Sequence, residues 1–302
     1  MNQSISALTR FRAVKSAFYM VLAGILFAAL NVLTQWLGMV LHVSSPVIAF
    51  WQYGFALIFS TPLAFRIGLG MMKTKYPFRH ALRVVLAALG VQAWVLSLTV
   101  VPIGQAIALV MTSPFFIIIG ARLVLRESVG VGRWLATLAG FLGAMIILEP
   151  WSDDFSPYAL LPVLAALLWG GFSLLTKNLT ALEPSETVTL WLLVLLTPIN
   201  GALAVASDFA APNVSQALLL LAAGVLTFFG QHLLTLAYSA ADAAYVQPFD
   251  DLKLPLNVVA GWIVFGHAPS GPLGLGALLI LTASLTLMFT EMRNEREKTG
   301  FD

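Results

Sequence analysis

Chemistry-bearing side chains are concentrated in one apolar stretch of this sequence. Between residues 243 and 265 the chain carries Tyr245, Gln247, Pro248, Asp250, Asp251, Lys253, Pro255 and Asn257 among aliphatic neighbours. An ionisable side chain inside a bilayer costs roughly 3 kcal/mol on insertion scales, so it faces a cavity or pairs with another group. Helical spacing decides the pairs. Asp250 and Lys253 are i,i+3, Lys253 and Asn257 are i,i+4, and Gln247 precedes Asp250 by one turn, so these four share a stripe. Asp251 points about 100° away from it. Pro248 and Pro255 remove backbone donors and free carbonyls to line a polar cavity. On one reading, Asp250 or Asp251 contacts a substrate amine or carries a coupling proton, and Lys253 tunes it or holds a carboxylate. On the other, the Asp–Lys pair ties two helices together, or an Asp near the cytoplasmic end simply reaches water.

Further polar and aromatic residues interrupt other apolar runs. His232 stands beside Gln231, and histidine changes charge near neutral pH. Gln92 and Trp94 occupy the corresponding part of an earlier run, and Asn31, Gln35 and Trp169 fall in two further ones. Lining a central pocket, these residues would offer amides to hydrogen-bond a ligand and indoles to stack on it. The plainer alternatives are helix–helix hydrogen bonds for the amides and an interfacial belt for the aromatics. Pro62, Pro114 and Pro198 are expected to kink their helices. Gly24, Gly143, Gly170, Gly171 and Gly261 are expected to permit close helix contact.

Several chemistries are excluded. There is no cysteine, hence no thiolate, disulfide or cysteine metal site. No GxxxxGK[ST] loop is present for ATP hydrolysis, and no HExxH or His cluster for a catalytic metal. No Ser/His/Asp set can be assembled by spacing. The chain reads as no enzyme and as needing no cofactor, so any transport it performs runs on a gradient.

The elements that position these residues follow from composition. Hydrophobic residues make up 59% of the 302, and charged residues only 10%. Soluble domains average roughly 45–50% apolar and about 25% charged, so this excess must face lipid or other buried helices. A span needs about 20 apolar residues. Ten runs qualify, at approximately 17–40, 47–69, 81–101, 103–125, 132–149, 157–177, 186–206, 214–237, 243–265 and 272–290. The first is too long for a signal-peptide core and reads as a retained helix. The tail from Glu291 reads as a frayed cytoplasmic end. With a cytoplasmic N-terminus, every Lys and Arg except Lys253 falls on the cytoplasmic side, while Glu149, Asp153, Asp154 and Asp208 fall opposite. That sorting sets both termini inside. The net charge of +2 does not point to nucleic acid, because the basic residues sit at helix ends.

The chain also repeats itself. Residues 27–35 parallel 169–177, Trp51 and Thr61-Pro62 parallel Trp191 and Thr197-Pro198, and Gln92 matches Gln231, at offsets of 136 to 142. Residues 1–150 and 151–302 thus form two repeats of five spans. An odd number of spans inverts the second repeat, the logic of secondary transporters with a site at the midplane between halves.

The sequence resembles the drug/metabolite transporter superfamily, and in particular its ten-helix EamA family, over nearly its whole length. The resemblance rests on Pro114-Phe115-Phe116 leading to Leu125-Arg126-Glu127, on the glycine-rich run with Gly132, Gly140 and Gly143, and on the matching segment from Ala243 to Pro269. It departs at His267, where the family usually has glutamate. The resemblance implies an all-α integral membrane transporter, and the amino-acid exporters are the members it suggests first.

The expectation is therefore an inner-membrane secondary transporter of small metabolites, with amino-acid export ahead of a sugar, nucleotide derivative, vitamin or drug. A lipid-modifying enzyme and a non-transporting subunit stand behind these. The expected pocket is lined by Asn31, Gln92, Trp94, Trp169, His232, Tyr245, Gln247, Asp250 and Asn257, with Asp250, Asp251 and Lys253 available for coupling. The partners are a small-molecule substrate and the bilayer, and the glycine-rich faces suit a homodimer as well as a monomer.

Overall fold

The computed structural model describes residues 2–67, 73–123, 129–153, 155–180, 182–183, 185–207, 209–240 and 249–299. Among these the ordered elements are helical. In a bilayer only helices or closed barrels satisfy every backbone group, and unbroken apolar runs of this length choose the helix. In chain order the helices are α1 (Asn2–Gln35, continued by a π-helical turn Trp36–Val40), α2 (Ser45–Ile67), α3 (Pro77–Val100), α4 (Ile103–Val110), α5 (Ser113–Leu123) and α6 (Val131–Leu148). A short 3₁₀ turn, Pro157–Leu160, then leads to α7 (Leu161–Thr180), α8 (Ser185–Ala206), α9 (Val214–Ala240), α10 (Lys253–Phe265) and α11 (Gly271–Thr299).

Six stretches among the described residues are long and apolar enough to cross a membrane: Val14–Val40, Pro77–Val100, Ile103–Gly120, Val131–Leu148, Pro157–Thr176 and Val214–Leu234. Shorter apolar helices lie at Val194–Ala206, Lys253–Phe265 and Gly271–Leu287. The charged tail expected to fray instead continues α11 to Thr299.

Two helices are interrupted. The fourth run is not one rod: α4 ends at Val110, Met111 and Thr112 form a turn, and α5 begins at Ser113. In the second half, residues 249–250 are helical, Asp251 and Leu252 form a turn, and α10 begins at Lys253. A three-residue backbone bond closes each turn, Phe115 N–H to the Thr112 carbonyl at 3.0 Å and Leu254 N–H to the Asp251 carbonyl at 3.1 Å. Pro114 and Pro255 therefore sit in the first turns of α5 and α10. A proline costs little there, because first-turn N–H groups have no helical partner. For Pro114 this corrects the expected kink: it starts a helix, whereas Pro62 and Pro198 do lie inside theirs.

The two halves interleave. The most extensive contacts are α1 with α9, α6 with α11 and α3 with α7, followed by α2 with both α8 and α9, α5 with α7, and α1 with α10. Exchanging first-half helices for their second-half counterparts turns α1–α9 into α7–α3 and α1–α10 into α7 with the α4–α5 rod, while α2–α8 and α6–α11 map onto themselves. The contact pattern is thus that of two like units about a shared axis. On that axis α6 and α11 touch backbone to backbone. A Cβ on Gly143 would meet the Gly276 carbonyl at 2.7 Å, and one on Gly276 would meet the Gly143 carbonyl at 2.5 Å. Only glycine fits both positions, the way small residues let membrane helices approach.

Candidate functional site

The interruption before α10 brings the charged residues together. Lys253 Nζ donates to Asp250 Oδ2 at 2.8 Å across the turn. Their side chains are 30% and 19% exposed, so the pair reaches water and neutralises itself. Asp251, in the turn, is buried. One turn into α10, Asn257 is fully buried, and its Nδ2 donates to the Lys253 carbonyl at 2.6 Å. Its Oδ1 accepts from Asn31 Nδ2 of α1 at 2.9 Å. An amide both donates and accepts, so Asn257 bonds back to the first residue of α10 and ties that helix to α1 at once. Four residues on from Asn31, buried Gln35 donates from Nε2 to the Val101 carbonyl at 2.8 Å, at the α3–α4 junction.

A second group lies along α3. Gln92 Nε2 donates to Oδ1 of buried Asn200 on α8 at 2.9 Å. Trp94 and Trp169 face one another with ring centroids 6.0 Å apart, tilted by 50°. The Trp169 indole is pressed on α3, where a Cβ at Gly90 would lie 2.6 Å from its Cδ1 and Nε1. Asn31, Gln92, Trp94, Trp169, Asp250 and Asn257 thus all stand at contacts between the two halves or at the broken helix. His232 does not join them: it is exposed on α9, its ring stacked on Phe228 at 6.2 Å. Tyr245 and Gln247 lie outside the described residues.

Sequence reasoning missed Asn200, a lone amide in an apolar helix with no spacing partner. It also missed a polar latch at one end of the bundle. Glu183, between α7 and α8, accepts from the Thr74 hydroxyl at 2.6 Å, the Lys75 N–H at 2.9 Å and His80 Nε2 at 2.8 Å. Burial raises its carboxyl pKa. The bonds from Thr74, His80 and Lys75 and the charge of His80 outweigh that and hold it below the usual 4.5. His80 is fully buried and stacks on Trp191 at 5.4 Å. Arg83 is buried one turn on, bonded to the Val188 carbonyl and to the Thr176 hydroxyl, with its guanidinium 5.2 Å from the Phe172 ring. The signal was the i,i+3 pair His80–Arg83 at the start of a span, read instead as part of a cytoplasmic positive cluster.

The centre of this bundle thus gathers paired amides and two indoles in mutual contact, in a protein whose helices suit a membrane. Among the described residues no cluster of three or more His, Cys, Asp or Glu could hold a metal. Fold and site define a small-molecule transporter, not an enzyme. The chain belongs to the EamA-like transporter family, which matches residues 14–149 and 156–289. It is 65% identical to a riboflavin transporter of Rhizobium johnstonii over 98% of each chain. It is 44% identical to a riboflavin transporter of Vibrio cholerae, over 94% of this chain and 96% of that one. An S-adenosylmethionine uptake transporter of Rickettsia bellii is 29% identical over 90% of this chain and 92% of that one. A crystal structure of a protein at 16% identity overlays with a TM-score of 0.61, covering 94% of this chain and 98% of that one, which speaks to the fold alone. These relatives favour the vitamin alternative over amino-acid export.

Proposed function

We propose that this protein carries riboflavin inward across the inner membrane by alternating access between its two halves. The observation that carries the reading is the 65% identity to a riboflavin transporter across 98% of both chains. The site chemistry agrees with it. Riboflavin presents a flat, neutral, tricyclic ring with an imide edge, which suits the Trp94–Trp169 pair and the amides of Asn31, Gln92, Asn200 and Asn257 better than a zwitterion would. The inward direction rests on the S-adenosylmethionine relative, whose name specifies uptake.

In this reading residues 1–150 and 151–302 are the two rocking units, ten spans cross the membrane, and both termini are cytoplasmic. Asp250, Asp251 and Lys253 are the candidates for coupling, because of the two interruptions among the described residues theirs is the one that carries charge. The test is uptake by proteoliposomes, read by riboflavin's own fluorescence and run beside a mixture of amino acids. Saturable riboflavin entry with no amino-acid movement supports the proposal. Amino-acid movement without riboflavin entry overturns it, and riboflavin efflux alone reverses the direction. Normal transport by Asp250→Asn at every pH removes Asp250 from coupling.

A further inference from the structure

A recess opens at the end of the bundle opposite the latch. α3 runs from the latch to this recess, and α7 runs back from it to the latch. The recess holds about 160 Å³ and is lined by Gln105, Glu149, Ser152, Phe155 and Ser156, with backbone from the α3–α4 junction. Small-molecule pockets that enclose a whole drug-sized ligand run to roughly 300–1,000 Å³. This one has room for part of a ligand.

Its lining is specific. Glu149 closes α6 in the left-handed region, at φ 43° and ψ 55°. A non-glycine residue seldom adopts that backbone, and such outliers gather where a site demands them. Among the described residues no hydrogen bond or ion pair engages the Glu149 carboxylate, and no Lys or Arg lines the recess. Gln105 also lines it, its Nε2 donating to the Ile147 carbonyl at 3.4 Å. Ser152, Phe155 and Ser156 complete the lining. A carboxylate accepts hydroxyl protons, an amide and serine hydroxyls both donate and accept, and an aromatic face covers C–H groups. That combination reads a polyol.

We propose that this recess binds the hydroxylated side chain of the substrate, as an entry site distinct from the central amides and indoles. The inference rests on the riboflavin reading, since the ribityl chain is the polyol in question. In the orientation proposed above, the recess faces the extracytoplasmic side, where an imported substrate arrives.

The test compares riboflavin with lumiflavin, which keeps the ring system and lacks the hydroxyl chain, in uptake by proteoliposomes containing the full chain. Glu149→Gln is expected to raise the riboflavin KM several-fold at unchanged kcat and to leave lumiflavin uptake untouched. Glu149→Gly removes the carboxylate while favouring the left-handed turn, and is expected to behave in the same way. With the wild-type protein, excess free ribitol is expected to slow riboflavin entry but not lumiflavin entry, a readout that depends on no variant. An unchanged riboflavin KM in both variants, an equal effect on both flavins, or no competition by ribitol overturns the recess as a polyol site. Wild-type vesicles that admit neither flavin overturn the riboflavin reading and the recess with it, whereas failure of the variants and of ribitol alone leaves riboflavin transport standing.

Discussion

The two ends of the bundle are related by the exchange of halves, yet they are closed by different means. At one end the start of α3 meets the end of α7 and the start of α8. Glu183 takes three hydrogen bonds there, and Arg83 and His80 are buried beside it. At the other end the start of α9 meets the end of α1 and the start of α2. The hydrogen bond found there, Gln216 Nε2 to the Leu41 carbonyl, is 3.4 Å long. The matching tryptophans tell the same story: Trp191 stacks on His80, whereas Trp51 stacks on Phe55 at 5.3 Å and lies near Phe50 and Phe209. A directional polar lock holds one end, and adaptable aromatic packing covers the other. If the two halves rock as proposed, equivalent ends must be able to differ, and the polar end and the aromatic end do differ.

The comparison depends first on an axis common to both ends. Gly143→Val drives a side chain into the α11 backbone and should cost about 3 kcal/mol, lowering the thermal unfolding temperature in detergent and disrupting both ends together. A fully stable Gly143→Val protein would remove α6–α11 as the fixed seam. Arg83→Ala acts on one end only. It removes a buried guanidinium together with its bonds to the Val188 carbonyl and the Thr176 hydroxyl, at about 2 kcal/mol, and should speed labelling of a single cysteine at Ser173 in this cysteine-free chain. Equal labelling in both proteins would mean that the latch does not close that end.

Glu183→Gln weakens the lock without emptying the site. A loss of about 1 kcal/mol shifts the closed-to-open ratio roughly fivefold, read by the same cysteine. The carboxyl's lowered pKa fixes the sign of the pH effect. Its contribution is fully present above the usual 4.5 and is lost as pH falls through the lowered value. Labelling, taken relative to that of the same cysteine in denatured protein at each pH so that the falling thiolate fraction cancels, should therefore stay flat from neutral pH down to 4.5 and rise only below it, and Glu183→Gln should abolish that rise. The smallest effect belongs to the other end: Gln216→Ala should change stability by no more than about 0.5 kcal/mol. A loss as large as that of Arg83→Ala would show the two ends to be equally locked.

The helical membrane character and the twofold repetition were legible because lipid tolerates little else: a run of apolar residues must be a helix, and Trp51 and Trp191 kept their spacing. The interruption at Met111–Thr112 was illegible because both residues suit an apolar helix and Pro114 alone does not distinguish a kink from a new start. Asp250, Lys253 and Asn257 were legible as a cluster through charge in an apolar setting, but not the bond from Asn31, which joins residues 226 positions apart. The latch was hidden because counting basic residues treats Arg83 as a solvated loop charge, while its role depends on α8, which no local pattern brings near. His232 had the right chemistry but stands exposed and stacked on Phe228, apart from the paired amides, and a lone histidine carries no periodicity to reveal which way it points.

The paired interruptions also bear on how such a protein can change over generations. Both halves inherited the same broken rod, with a turn and a proline close behind it. Only one copy carries charge; the other, from Leu109 to Thr112, is packed in apolar side chains. The two interruptions thus share a shape and differ in chemistry. One copy is packed as architecture while the other carries polar and charged side chains, so substitutions around Asp250 and Asn257 alter the chemistry at one interruption and leave the apolar one in place.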